Sequence, residues 1–311
     1  MIEFSSVSTG STGSQMRERP AVIVVVAHPD DESIWIGGTL LRMRDAGFRL
    51  FIVCATGKSN PVRAPEFLSA CLMLRATPIL LDHVDGRNAP IANLADELSE
   101  VGNAVLQECS EILCVLTHPP HGNAHRHPQH LDCFKHVQRW ARGHHIPFGV
   151  FSERLADDLR HEASFGTGAD IEFCAVSPDW TGPVRGLLDV ARAKADQSYL
   201  RPAPKPVSAV ERARAGDAST TSAVKHMPVL ARLANRIASL KPFWNAVAAL
   251  SIEVDSSEKQ VLCDLHVSQI AGLKEYLAYQ RNREFVYLDN AETARRLEKM
   301  LREARPLRAT A

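Results

Sequence analysis

The sequence predicts an α/β fold: a mostly parallel sheet flanked by helices, with a less regular C-terminal portion. Three observations predict it. Val22-Ile-Val-Val-Val-Ala27 is a run of five β-branched residues closed by an alanine, the composition of a strand buried on both faces of a parallel sheet. Strand-like and helix-like patterns then take turns as far as about residue 150, the mark of a doubly wound sheet. Beyond Trp140 the periodicity weakens, and the chain shows no internal repeat.

In chain order, residues 1–20 hold Ser-Ser-Val-Ser-Thr-Gly-Ser-Thr-Gly-Ser, which buries little, so a disordered N-terminal segment is expected. After the first strand, Ser33 to Ala46 reads as a helix with Ile34, Leu40, Leu41 and Met43 inward; Gly37 and Gly38 lower its propensity but allow close approach, and Gly47 closes it. Leu50 to Ala55 is the second strand. The loop after it, Thr56-Gly-Lys-Ser-Asn60, superficially resembles a phosphate loop, but Ile52 stands where the first glycine of that motif belongs. Helices are expected around Pro65–Arg75 and Leu94–Cys109, and strands at Ile79–Asp82 and Ile112–Thr117. Later, Pro147–Ser152, Asp170–Ser177 and Ser251–Val254 look like strands, Val224–Leu240 and Glu258–Tyr279 like helices, and Arg201 to Pro206 like a stiff linker. Ala291 to Arg305 reads as a terminal helix whose basic residues form a solvated face.

Composition narrows the function classes. Lys+Arg and Asp+Glu both total 36, so no net field favours nucleic acid or an anionic membrane, and a small neutral partner is the better expectation. Seven scattered cysteines without a Cys-x-x-Cys pair suit reduced, buried thiols in a cytoplasm better than a disulfide framework or a thiolate zinc site. The apolar run Ala21 to Ala27 is too short to span a bilayer and lacks the basic flank of a signal peptide. A soluble, cytoplasmic protein with no membrane span is expected; its oligomeric state is left open.

Chemistry concentrates at two strand ends. The first strand runs into His28-Pro-Asp-Asp-Glu32, and the strand ending at Thr117 runs into a loop carrying His118, His121, His125, His127 and His130. In open α/β sheets ligands bind beyond the carboxyl ends of the strands. A catalytic zinc site takes three ligands from His, Asp and Glu and leaves one position open. The first turn offers His28 and Asp31, the loop offers His127 and His130, and a helix starting at Pro128 would bring the latter two onto one face. Taken singly, the acids also suit a helix cap, with Asp30 or Asp31 satisfying the first amides, and the histidines suit an exposed loop. Their joint occurrence points to a metal.

Ala27-His-Pro-Asp-Asp-Glu32 after a Val-rich strand, paired with His127-Pro-Gln-His130, resembles the LmbE/PIG-L family of zinc-dependent N-acetylglucosaminyl deacetylases. Weaker echoes are Arg63-Ala-Pro-Glu66, Asp85-Gly86 and His266-Val-Ser-Gln269. The resemblance covers about Ala21–Leu155 and Ser251–Phe285. It implies a Rossmann-like sheet in a domain spanning 21–311, with a divergent insertion or cap at about 156–250. It also implies zinc, or another divalent metal, held by His28, Asp31 and His130. By the same resemblance Asp30 is the general base, and His127, if protonated, stabilises the oxyanion or donates a proton to the leaving amine. Arg63 is a candidate for substrate hydroxyls or a phosphate, and Glu32 for a helix-supporting carboxylate.

The implied substrate is an N-acetylated sugar or glycoconjugate of the N-acetylglucosamine type. A zinc amidase acting on a non-sugar amide and a non-catalytic sugar- or partner-binding member are the alternatives. Two departures stand out. Gln129 replaces the Asp common in the family's His-Pro-Asp-His, removing a charge that could tune the adjacent His127. His125 stands where the mycothiol-pathway branch has a Tyr, which argues against carrying over that branch's substrate.

Overall fold

The computed structural model describes residues 19–120, 127–152, 171–175, 248–271 and 282–304, all within one compact unit. The expected N-terminal segment through residue 18, His121, His125, the linker at Arg201–Pro206 and the helix at Val224–Leu240 lie outside the described residues.

The elements are β1 (Ala21–Val26), α1 (Asp31–Asp45), β2 (Arg49–Thr56), α2 (Arg63–Met73), β3 (Thr77–His83), α3 (Leu94–Glu108), β4 (Ile112–Thr117), α4 (Pro128–Gly143), β5 (Phe148–Ser152), β6 (Ile171–Ala175), β7 (Ala248–Glu253), α5 (Ser256–Asp264), β8 (Arg283–Leu288) and α6 (Ala291–Glu303). One eight-stranded sheet runs β3-β2-β1-β4-β5-β8-β7-β6. The first five strands pair in parallel, and β8, β7 and β6 add antiparallel. The α/β expectation holds, and the less regular C-terminal portion turns out to extend the same sheet. Part of the span read as an insertion, Ile171–Ala175, is a sheet strand paired with β7.

The core follows from the apolar strands. Every residue of β1 is fully buried, as a strand covered on both faces requires. Helix α1 packs against the sheet and α5, with Ile34, Leu40, Leu41 and Met43 buried as expected. A Cβ on Gly38 would lie 2.4 Å from Val254 Cβ, so the helix glycine permits contact with the chain leaving β7. Among the described residues no helix is long and apolar enough to cross a membrane. Arg295, Arg296, Lys299 and Arg302 on α6 are exposed, the solvated face their pattern predicts.

Two elements differ from expectation. The helix expected over Glu258–Tyr279 begins as α5 but ends at Asp264, followed by a 3-10 turn at Val267–Gln269; residues 272–279 lie outside the described set. Leu262 and Cys263 are buried, and two residues later the chain leaves helical geometry to seat His266 in the interior. Strand β8 went unanticipated because its inward Glu284 interrupts the apolar pattern. That acid is held by Lys259 Nζ at 2.5 Å and accepts from the Gly38 and Thr39 amides at 3.1 and 2.7 Å.

The Gly-Lys-Ser loop has a packing role. Gly57 has φ +93° and a Cβ there would sit 2.5 Å from Pro29 Cγ, so the loop after β2 closes onto the turn after β1. Gly57→Ala combines left-handed strain with a clash, worth about 2 kcal/mol. A melting-temperature drop of roughly 4–8 °C is expected, and an unchanged melt would refute this account of the contact.

Candidate metal centre

The sheet order reverses between β1 and β4: the chain builds outward through β2 and β3 on one side, then through β5 on the other. Such a switch point leaves a crevice at the strands' carboxyl ends. His28 and His118 follow the two strands that flank it. The chain leaving β1 is anchored from both neighbours: Thr56 donates to Ala27 O from N (3.1 Å) and Oγ1 (2.8 Å), and the Ala27 amide donates to His118 Nε2 (3.1 Å). Backbone groups that have run out of ladder partners are thereby satisfied.

The turn is sharp because Asp30 takes φ 137°, beyond the left-handed region that Asp and Asn commonly adopt, so its backbone is strained. Neither acid caps α1 in the expected way, since Asp30 makes no side-chain cap bond. Asp31 turns back instead. Its Oδ2 accepts from the His28 amide at 2.8 Å, while Oδ1 accepts from Trp35 Nε1 at 2.8 Å, one helical turn on. Both oxygens are therefore fixed, with Oδ2 facing the histidines.

Three donor atoms meet there. His28 Nδ1 lies 3.2 Å from Asp31 Oδ2, His130 Nε2 lies 3.4 Å from the same oxygen, and the two nitrogens are 3.2 Å apart. Metal bonds of about 2.0–2.1 Å in a tetrahedral zinc site place ligand atoms roughly 3.4 Å from each other, so this triangle fits such an ion. His130 reaches it because Pro128 opens α4, with His127 at the N-cap. Two other triples also converge within 4.8 Å, His28 with His127 and His130, and Asp31 with His118 and His130. His118, however, accepts the Ala27 amide at Nε2, the atom that also lies 3.4 Å from Asp31, and its ring stacks on His130 at 3.9 Å.

The electrostatics favour a cation at the triangle. Burial works against a charge on His28, yet contact with Asp31, assisted by Gln129 and Asp85, pushes its pKa up to about 9. Burial would raise Asp31, but His130 and His118 hold its carboxyl well below the usual range. Burial, opposed by Asp31, takes His130 down to about 4. Asp30 is different: burial first, then the neighbouring Asp31, pushes it up to about 7 against the pull of Arg63.

A family model described as PIG-L, GlcNAc-PI de-N-acetylase, matches residues 23–141. Residues 23–141 are thus similar to a PIG-L domain. Among solved structures, an A40926 pseudoaglycone deacetylase, Dbv21, is 18% identical over 61% of this chain and 86% of its own, with a TM-score of 0.35. The zinc-inhibited form of teicoplanin deacetylase Orf2 is 14% identical over 86% and 97%, TM-score 0.42. The N,N'-diacetylchitobiose deacetylase of Pyrococcus horikoshii is 18% identical over 45% and 61%, TM-score 0.34.

The stretch matched by the PIG-L model contains the whole donor triangle and Asp30. Arg63, the candidate for substrate hydroxyls or a phosphate, lies against the ligand turn. Its Nη1 donates to Asp85 Oδ2 (2.6 Å) and its Nη2 to Pro29 O (2.8 Å) and Asp30 Oδ2 (3.1 Å), so the guanidinium fork is occupied in holding Asp30. His127 sits edge-on to His28, ring centroids 4.6 Å apart, and burial together with His28 and His130 lowers its pKa to about 4. That direction favours the neutral ring over the protonated one. Gln129 contacts His28 at 2.8 Å, so the ring it serves is that of His28.

Glu32 does more than complement the helix dipole. Fully buried, it accepts from the Asp30 amide (3.1 Å) and Ser33 Oγ (2.7 Å) and pairs with His266 Nε2 at 2.8 Å. Glu66 likewise accepts from Ser268 N (2.7 Å) and Oγ (2.6 Å). The three weaker echoes thus converge on the turn that carries the ligands, through Arg63, Asp85 and His266. His118 had no role assigned from sequence; its place directly after β4, matching that of His28 just after β1, was the available signal.

Proposed function

We propose that this chain is a zinc-dependent N-deacetylase that hydrolyses the acetamide of an N-acetylglucosamine-type sugar or glycoconjugate to a free amine and acetate. The observation carrying this reading is the donor triangle of His28, Asp31 and His130, with a second carboxylate, Asp30, held outside it by Arg63. The PIG-L match supports the sugar acetamide as the substrate class.

Held by the triangle, zinc would supply Lewis acidity, polarising the acetamide carbonyl and raising the acidity of water. Asp30 takes the proton from the attacking water and returns it to the departing nitrogen. Arg63 occupies Asp30 Oδ2, which leaves Oδ1 for that proton. His127, as a neutral ring, offers an N–H to the oxygen that gains charge in the transition state. Water adds to the carbonyl carbon, the C–N bond breaks, and acetate leaves the amino sugar. Cys54, Cys71, Cys109, Cys114, Cys133 and Cys263 are free and buried, which suits the reducing cytoplasm where we place the enzyme.

The test is primary-amine release from a panel of N-acetylated sugars and simple amides. Zinc-loaded protein is expected to yield amine and acetate in equal amounts from N-acetylglucosamine-type substrates. Chelator treatment should abolish turnover and added zinc should restore it. Turnover of simple amides alone would replace the sugar reading with a non-sugar amidase, and zinc-bound protein inert to the whole panel would leave a binding module.

A further inference from the structure

We propose that Gln129 is a positioning residue that fixes the tautomer of His28, so that Nε2 carries the proton and Nδ1 presents its lone pair to the metal site. This rests on the metal reading above. The argument is a chain of obligatory donors and acceptors. Val84 O and Ala89 O lie 2.7 and 3.1 Å from Gln129 Nε2. Carbonyl oxygens can only accept, so the amide nitrogen must face them. Gln129 Oε1 is therefore turned the other way, where it accepts from the Gly86 amide at 3.3 Å and meets His28 Nε2 at 2.8 Å. An amide oxygen can only accept, so His28 must donate from Nε2. Nδ1 is then left facing Asp31 Oδ2 and His130 Nε2, each 3.2 Å away.

The glutamine side chain is fully buried, and its four contacts bind the loop after β3 to the ligand turn. An aspartate at this position, as in His-Pro-Asp-His, would have no N–H to give the two loop carbonyls. The neutral amide is thus matched to this loop. A ligating histidine whose other nitrogen is held by a fixed acceptor keeps its orientation and ligand strength, and loss of such a partner commonly lowers metal affinity about 10–100-fold.

Two measurements test this on the full chain. In the zinc-loaded wild type, long-range proton–nitrogen NMR is expected to show the His28 proton on Nε2 and the metal-shifted resonance on Nδ1. In Gln129→Met, which keeps length and bulk without an acceptor, zinc affinity by chelator competition should fall about 10–100-fold. A proton on Nδ1 in the wild type, or unaltered affinity in a folded Gln129→Met, overturns the role of Gln129 and leaves the metal site standing. Failure of the wild type to take up zinc overturns both. If the variant loses its cooperative melt, the wild-type spectrum decides.

Discussion

Asp30→Asn is expected to retain one zinc per chain and to lose about 10²–10⁴ in kcat, the usual contribution of a positioned general base. The choice of asparagine follows from the backbone. Asp30 adopts the strained φ of 137°, and Asn matches the aspartate in size and shape, so it changes that conformation least. The amide oxygen can still accept from Arg63, now 3.1 Å from Oδ2. The substitution therefore removes the proton acceptor while leaving the turn and the donor triangle in place. Zinc content and kcat, measured together, separate chemistry from binding. Equal turnover by the two proteins would remove Asp30 from the mechanism; loss of zinc with loss of turnover would show that Asp30 acts in holding the ion.

Asp31→Asn should have the opposite signature, with zinc affinity falling by more than the roughly 10–100-fold typical of a supporting residue and turnover lost with the metal. Asp31 is the one carboxylate of the triangle. Its Oδ2 takes the His28 amide and lies within 3.4 Å of the ring nitrogens of His28, His118 and His130. The asparagine keeps size but gives up the charge, and one face of it presents N–H groups to a cation. Chelator competition is the measurement. Wild-type affinity in the variant would exclude Asp31 as a ligand and favour the grouping of His28, His127 and His130.

Local chemistry carried most of the fold. The apolar run of β1, its abrupt end in acids, and Pro128 at the start of α4 each mark their elements within the chain itself, and the structure puts boundaries close to those expected. The four candidate donors were also readable, because His28 and Asp31, like His127 and His130, are three residues apart after an apolar strand; the choice of His28, Asp31 and His130 among them came from the family resemblance. What could not be read depends on strand order. His118 meets the Ala27 amide across 91 residues and Gln129 meets His28 across 101, contacts that arise only once β4 lies beside β1. Arg63 looked like a surface or substrate-facing arginine for the same reason. Nothing in its own helix reveals that Pro29, Asp30 and Asp85 converge on it. Helix α5 was read too long because apolar residues continue past Asp264, while the need to bury His266 against Glu32 is invisible from that helix alone.

The bond between Glu32 and His266, both fully buried, ties the ligand turn to a residue more than two hundred positions away. Removing one partner of such a pair leaves a buried charge uncompensated, at a cost of about 3–5 kcal/mol. Replacing either residue alone is therefore expected to loosen the turn that bears His28 and Asp31, whereas an uncharged pair at both positions would leave no buried charge behind. A fragment ending after α4 would therefore contain every proposed ligand and lack one support of the turn that carries two of them.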